Sequence, residues 1–294
     1  MAEGRADYIP VLFVSGENQP EAWEKAVLAV WDHGVEVRTE YDRPNDPPSL
    51  DATVMVEVRR PFGEPRIHKN FPGGPTDLEV YRQEVVDGIH DHWINPREGK
   101  WTYTYHQRLF AYRPVEDLMN GEAGPQFAPT DQIEYMIEKL AAVPHSRRAQ
   151  AITWIPQCDP ATDDPPCLQR VWARLLPGED GFALNLNTHW RSRDLYKAWF
   201  MNVFALTDLQ RLMAERLSEK MAKPVRCGRY VDVTDSLHIY GSYRTEELER
   251  EIGKMKSSPY TERAWDSAVL APMFREVRER LAEDPDCYSR GDGS

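Results

Sequence analysis

The chain lacks the marks of several large protein classes. It has four cysteines in 294 residues, at Cys158, Cys167, Cys227 and Cys287, and no C-x-x-C pair. Such scatter argues against a disulfide framework or a cysteine-built metal site. No basic stretch followed by an apolar one opens the sequence. No apolar run approaches the roughly 20 residues needed to cross a bilayer. The expectation is a cytoplasmic protein with reduced thiols and no membrane partner. Positive charge is scarce: 36 Lys and Arg against 48 Asp and Glu give a formal net charge of -12. A phosphate backbone would be repelled, so no nucleic-acid partner is expected. Internal repeats and low-complexity linkers are also missing.

What is present suffices for a core. Hydrophobic residues make up 41% and aromatic residues 11%, with nine Trp, which excludes a disordered chain. Apolar patterning predicts strands over 8–14, 35–38, 53–58, 151–155, 168–175, 182–188 and 237–240. It predicts helices over 21–31, 78–89, 132–142, 195–221 and 246–255. At 132–142 the apolar stripe is Ile133, Met136, Ile137 and Leu140. The strands at 168–175 and 182–188 read as a pair joined at Pro177-Gly178. Residues 102–110 mix strand and turn signals, and 42–48 form a loop by their Pro and Asn content. Strands and helices mix without regular βαβ alternation, which predicts the α+β class. The polar stretch 284–294 is expected to be a mobile tail.

Two local patterns carry chemistry. In Asp164-Pro165-Pro166-Cys167, two stiff residues precede a thiol. A rigid approach suits a nucleophile that must meet a carbon at a fixed angle. On local sequence alone, a buried structural cysteine is the commoner case. Asp42-Arg43, Ser146-Arg147-Arg148 and Arg191-Ser192 are three arginine groups in an acidic chain. Guanidinium forks match phosphate oxygens, although a solvated surface pair is the ordinary fate of any one arginine. His90-Asp91-His92 raises a metal hydrolase. Side chains two apart on a helix diverge, so no metal is expected.

The ordered set is more specific than its parts. Asp42-Arg43, Asp131-Gln132-Ile133, Ser146-Arg147-Arg148, Pro166-Cys167, Arg191-Ser192 with Asp194, Asn202 and His238-Ile239-Tyr240 resembles the thymidylate synthase family at nearly the family's spacing. The resemblance covers residues 40–245. The first forty residues and the short stretch after Gly88 look more like the archaeal, methanogen-type branch. The resemblance implies one domain over 1–294, with 1–40 as a variable βαβ-like extension. It implies a three-layer fold whose large twisted mixed sheet packs at a dimer interface.

The resemblance also implies roles. Cys167 would add to C6 of a pyrimidine nucleoside monophosphate, with Arg191 as the cation that lowers its pKa. Arg43, Arg191 and Ser192 would bind the 5′-phosphate. Arg147 and Arg148 would reach the phosphate site of the other subunit of a homodimer. Asn202 would read N3 and O4 of the ring, which favours dUMP over dCMP, since relatives acting on cytosine tend to carry Asp there. His238 and Tyr240 would bond the sugar 3′-hydroxyl. Asp194 would hold the pterin of 5,10-methylenetetrahydrofolate or a related one-carbon carrier, and Trp93 would stack on it. Tyr105 would help remove the C5 proton. Glu84 is the candidate catalytic glutamate, ahead of Glu79.

The chain departs from the family pattern in places. Leu168 follows the nucleophile where His is usual, and Trp190 precedes Arg191 where Gln is usual. Ala198 replaces a Gly on the folate side. The tail is polar where the common enzyme closes an apolar one over the site. Two outcomes remain open: a 5-methyl product, favoured because most relatives make it, or a 5-hydroxymethyl product if water replaces hydride. A non-catalytic nucleotide-binding protein is the alternative of another class.

Overall fold

The structure is a computed structural model that describes residues 7–98, 100–113 and 128–288. The chain opens with β1 (Val11–Gly16), α1 (Gln19–His33) and β2 (Val35–Val37). Asn18 caps α1: its side-chain oxygen accepts the Glu21 N–H, and Pro20 stands in the first turn, where its missing N–H costs nothing. β3 (Ser49–Val58) pairs in parallel with β1 and antiparallel with β2. The short β4 (Ile67–His68) leads to α2 (Pro75–Asp87), α3 (Tyr105–Phe110) and α4 (Gln132–Ala142). Then come β5 (Gln150–Ile152), β6 (Leu168–Pro177) and β7 (Phe182–Asp194). The chain continues through α5 (Ala198–Met221), β8 (Val225–Ile239), α6 (Glu246–Ser257), β9 (Ala264–Trp265) and α7 (Ser267–Glu283).

One seven-stranded mixed sheet organises these pieces, in the order β1-β3-β8-β7-β6-β5, with β2 beside β3. β8 is antiparallel to β3 and parallel to β7. Helices α1 and α5 pack against β3, β7 and β8, and α2 packs against α5. The core lies between. Leu50, Ala52, Val54, Val56 and Val58 alternate into it from β3, and Trp199, Phe200, Val203, Phe204 and Leu206 enter from α5. The predicted stripe of α4 is fully buried, and each of its large side chains contributes about 1.5–3 kcal/mol on burial. On the other face of β3, Met55 is exposed, and so are Phe13 beside it on β1 and Val11.

The α+β expectation holds, as does α4 to the residue. Four local readings need correction. The strand expected over 237–240 is the end of a 15-residue strand. Asp232 and Thr234 hid it: both are buried, and Arg193 bonds both. Residues 105–110 are helical because Thr104 caps them, its hydroxyl accepting the Gln107 N–H. Helix α5 starts three residues late, since the Asp194 carboxylate binds the Tyr196 and Lys197 N–H groups. Helix α7 was not anticipated. Of the tail expected to move, Pro285 and Asp286 bond to the 90–93 turn, and 289–294 lie outside the described residues.

Candidate active site

Cys167 closes a loop that two ion-bonded elements hold in place. Arg108 of α3 and Asp159 form a buried bidentate pair, with Nη2 to Oδ1 at 2.7 Å and Nη1 to Oδ2 at 3.1 Å. Arg108 also donates to the Thr153 carbonyl at 2.8 Å, and Asp159 accepts the Ile155 N–H. The same helix carries Tyr105, whose hydroxyl accepts the Leu168 N–H at 3.3 Å, one residue from the thiol. The helix and the loop before the nucleophile are thus one clamped unit.

Arg191 stands beside the thiol. Its Nη2 donates to the Pro165 carbonyl at 2.6 Å and its Nε to the Pro166 carbonyl at 3.2 Å, while its N–H meets the Cys167 carbonyl at 2.9 Å. The two prolines therefore supply oxygens that anchor a guanidinium as well as stiffness. Ser192, next along β7, also favours the thiolate. Here one expectation is corrected. Burial pushes the Cys167 thiol above its ordinary pKa; Arg191 is the strongest group pulling it down, but desolvation outweighs it, and Asp164 adds to the rise.

A second group lies on α2 and α5. The buried Asn202 amide donates to the hydroxyl of the partly buried Tyr81 at 2.7 Å. Tyr105, Glu84 and Arg193 all act electrostatically on Tyr81, which ties this group to the thiol's neighbourhood. Glu84 Oε2 faces His90 Nδ1 at 3.0 Å. Glu79, the runner-up glutamate, is buried in a cluster with Arg82, Gln83 and Arg278, so its carboxylate serves the packing of α2 and α7. Gly88 ends α2 at φ 67°, and a Cβ there would lie 2.3 Å from the His106 ring. That turn brings His90 back toward Glu84.

A third group lies where β3, β7 and β8 meet. Asp194 and His238 are register partners, and so are Asp51 and His238. Asp194 Oδ2 accepts the Tyr243 hydroxyl at 2.9 Å, and burial raises its pKa. Burial drives His238 toward the neutral ring, against the pull of Asp194 and Asp51. Its Nδ1–H meets the Ser236 carbonyl at 3.2 Å, which leaves Nε2 as an acceptor, buried and without a partner among the described residues. Tyr240 packs edge-on against His238 at 4.5 Å and against Tyr41 at 6.0 Å. A Cβ at Gly241 would strike the Pro47 carbonyl, so only glycine lets the 42–48 loop lie against Tyr240.

The remaining candidates are less engaged. Arg43 is exposed in the turn that Asp42 organises by accepting the Thr39 N–H and the Ser49 hydroxyl. Arg147 and Arg148 are exposed before β5, and among the described residues neither side chain bonds to the Cys167 group. Trp93 stacks on His90 at 3.6 Å, lies 5.0 Å from Trp101, and donates to Asp286. The rings of His90 and His92 are taken by Glu84, Pro285 and Asp286, and no three His, Cys, Asp or Glu among the described residues could hold a metal. No described helix is long and apolar enough to cross a membrane. Tyr81 and Arg193 escaped sequence reasoning. Tyr81 sat in an apolar stripe with Val85, and only the position of its hydroxyl reveals a polar use.

A profile of the thymidylate synthase family matches residues 69–265, well over half of the chain. The match makes the chain an enzyme of the one-carbon transferase class. It belongs to the thymidylate synthase family. Among its relatives are two proteins named "Putative thymidylate synthase". The one from Methanosarcina mazei is 29% identical over 229 residues, which is 77% of this chain and 88% of that protein. The one from Methanothermobacter marburgensis is 27% identical over 236 residues, 77% of this chain and 92% of that protein. The solved structure of thermostable thymidylate synthase A from Bacillus subtilis shares the fold, with a TM-score of 0.57 and 18% identity over 80% of this chain and 84% of that one.

Proposed function

We propose that the chain, as one domain in a homodimer, transfers a one-carbon unit from 5,10-methylenetetrahydrofolate, or a related pterin carrier, to C5 of dUMP, giving the 5-methyl product. The observation that carries this reading is the half-buried Cys167 thiol, whose thiolate Arg191 and Ser192 both favour, on a loop that Arg191 and Tyr105 bond on either side of it.

The residues divide the work as follows. Cys167 loses its proton and its sulfur bonds to C6. The C5–C6 π pair then moves through C4 toward O4, where the Asn202 amide meets the ring edge with both a donor and an acceptor. C5, now nucleophilic, receives the carbon. Tyr105, beside the thiol, helps take the C5 proton, and the pair left behind would expel the carrier nitrogen from the transferred carbon; addition of hydride to that carbon for the methyl product, or of water for the hydroxymethyl one, then lets sulfur leave C6. Arg43, Arg191 and Ser192 take the 5′-phosphate. The unpartnered Nε2 of His238 accepts the sugar hydroxyl, with Tyr240 alongside. Arg147 and Arg148 are exposed and unused by their own site, which suits a reach into the partner's. The outward residues of the sheet suit the contact between protomers.

The partly exposed rings of Trp93 and Trp101 fit a flat heteroaromatic carrier. Such a carrier supplies a carbon at the formaldehyde level and, for the methyl outcome, a hydride. Asp194 is the carboxylate assigned to the pterin; it already accepts Tyr243 and two N–H groups, so its orientation is fixed.

Incubation with dUMP, dCMP, UMP and CMP plus methylenetetrahydrofolate, read by mass spectrometry, tests the reading. The expected result is 5-methyl-dUMP with dihydrofolate. A hydroxymethyl product with tetrahydrofolate would replace it with the alternative outcome. Binding of dUMP without release of C5 tritium would point to a non-catalytic binder. Asn202→Asp should move preference from uracil toward cytosine by about 10- to 100-fold in relative kcat/KM, since one donor–acceptor edge is exchanged for another. An unchanged ratio counts against the role of Asn202.

A further inference from the structure

His90 stands between Glu84 and the carboxy-terminal turn. It is 2% exposed, and its ring is parallel to Trp93 within 9° at 3.6 Å. Its Nε2 lies 3.2 Å from the Pro285 carbonyl, and its Nδ1 lies 3.0 Å from Glu84 Oε2. Asp286, next along, accepts the Trp93 indole N–H at 2.6 Å and pairs with His92 at 3.0 Å, so the turn that presents Pro285 is itself anchored.

The donor and acceptor inventory fixes the proton count. A carbonyl oxygen only accepts, so Nε2 must carry a hydrogen. A bare Nδ1 and a carboxylate oxygen would then face each other as two acceptors, which repel. One further hydrogen has to lie between them, on the ring or on the carboxyl. The pair therefore holds one proton more than a neutral imidazole beside a carboxylate, whichever partner carries it. A buried ring that is bonded at both nitrogens and stacked on an indole cannot rotate without losing all three contacts.

We propose that His90 is the positioning residue for Glu84: Pro285 sets its tautomer, and the ring in turn aims the Glu84 carboxyl and keeps one transferable proton in the pair. This rests on the reading of Glu84 as the catalytic glutamate. The role is distinct from packing, because it requires a particular ring nitrogen to face the carboxyl.

The test uses the full chain. In the 15N-histidine spectrum, with the His90 signal identified by its loss in His90→Asn, the ring should carry a proton on Nε2. A neutral ring protonated only on Nδ1 overturns the proposal. His90→Ala should lower kcat about 100-fold while the nucleotide KM moves by less than about threefold, since a misaimed carboxyl impairs the chemical step more than binding. His90→Asn places an amide where Nδ1 was and should recover at least about tenfold of that loss. Unchanged kcat in a folded His90→Ala, or equal loss in both variants, overturns the proposal. Glu84→Gln separates the two levels. If it destroys turnover while His90→Ala does not, only the role of His90 falls. If it leaves turnover intact, the assignment of Glu84 falls with it.

Discussion

Cys167→Ala is expected to cut turnover by at least about 10⁴-fold, or about 5.5 kcal/mol of transition-state stabilisation, because no other group can make the bond to C6. Nucleotide binding should stay measurable, since phosphate, base and sugar are held by Arg191, Asn202 and His238 in this reading. Retained turnover would refute the nucleophile. The unliganded thiol gives a companion measurement. Burial raises its pKa, so it is protonated at neutral pH and becomes the reactive thiolate only as pH rises. Alkylation at Cys167, followed by peptide mass mapping, should therefore speed up with pH and pass its midpoint above the ordinary thiol value. A midpoint below that value would show that Arg191 and Ser192 outweigh desolvation after all.

Asp159→Ala is expected to destabilise the fold by about 3–5 kcal/mol, measured by urea unfolding, because it leaves the buried Arg108 charge without its partner. Both side chains of the pair are nearly inaccessible to water. The loss should reach the site too, since α3 presents Tyr105 and the loop presents Cys167. Replacing both partners together by apolar residues, Arg108→Met with Asp159→Leu, should cost less than Asp159→Ala, since no bare charge then remains. A double variant at least as unstable as the single one would mean that hydrogen bonds to Thr153 and Ile155, not the ion pair, hold the loop.

Much of the fold was legible where burial followed a simple period. The stripe Ile133, Met136, Ile137 and Leu140 gave α4 its limits, and the β6–β7 pair followed from two apolar runs around Pro177-Gly178. Legibility failed where polar residues go inside. Asp232 and Thr234 interrupt the apolar pattern of their strand, yet a guanidinium meets both within the core. The same holds at the site. Cys167, Arg191 and Ser192 were readable because their order along the chain is distinctive, and they do come together. The sign of the thiol's pKa shift was not readable, because it depends on how much water the surrounding aromatic residues exclude. The bond between Asn202 and Tyr81 and the bracing of His90 depend on contacts between distant segments, which no local pattern encodes.

The strand β3 precedes the segment that matches the family profile, yet it fills the place between β1 and β8 and carries one whole flank of the β8 ladder. Cutting the chain at the profile's first residue would strip that flank and leave the run that ends in His238 as a raw, sticky border. The matched portion is therefore no portable cassette: its sugar-facing wall is built on a beam that the earlier residues provide.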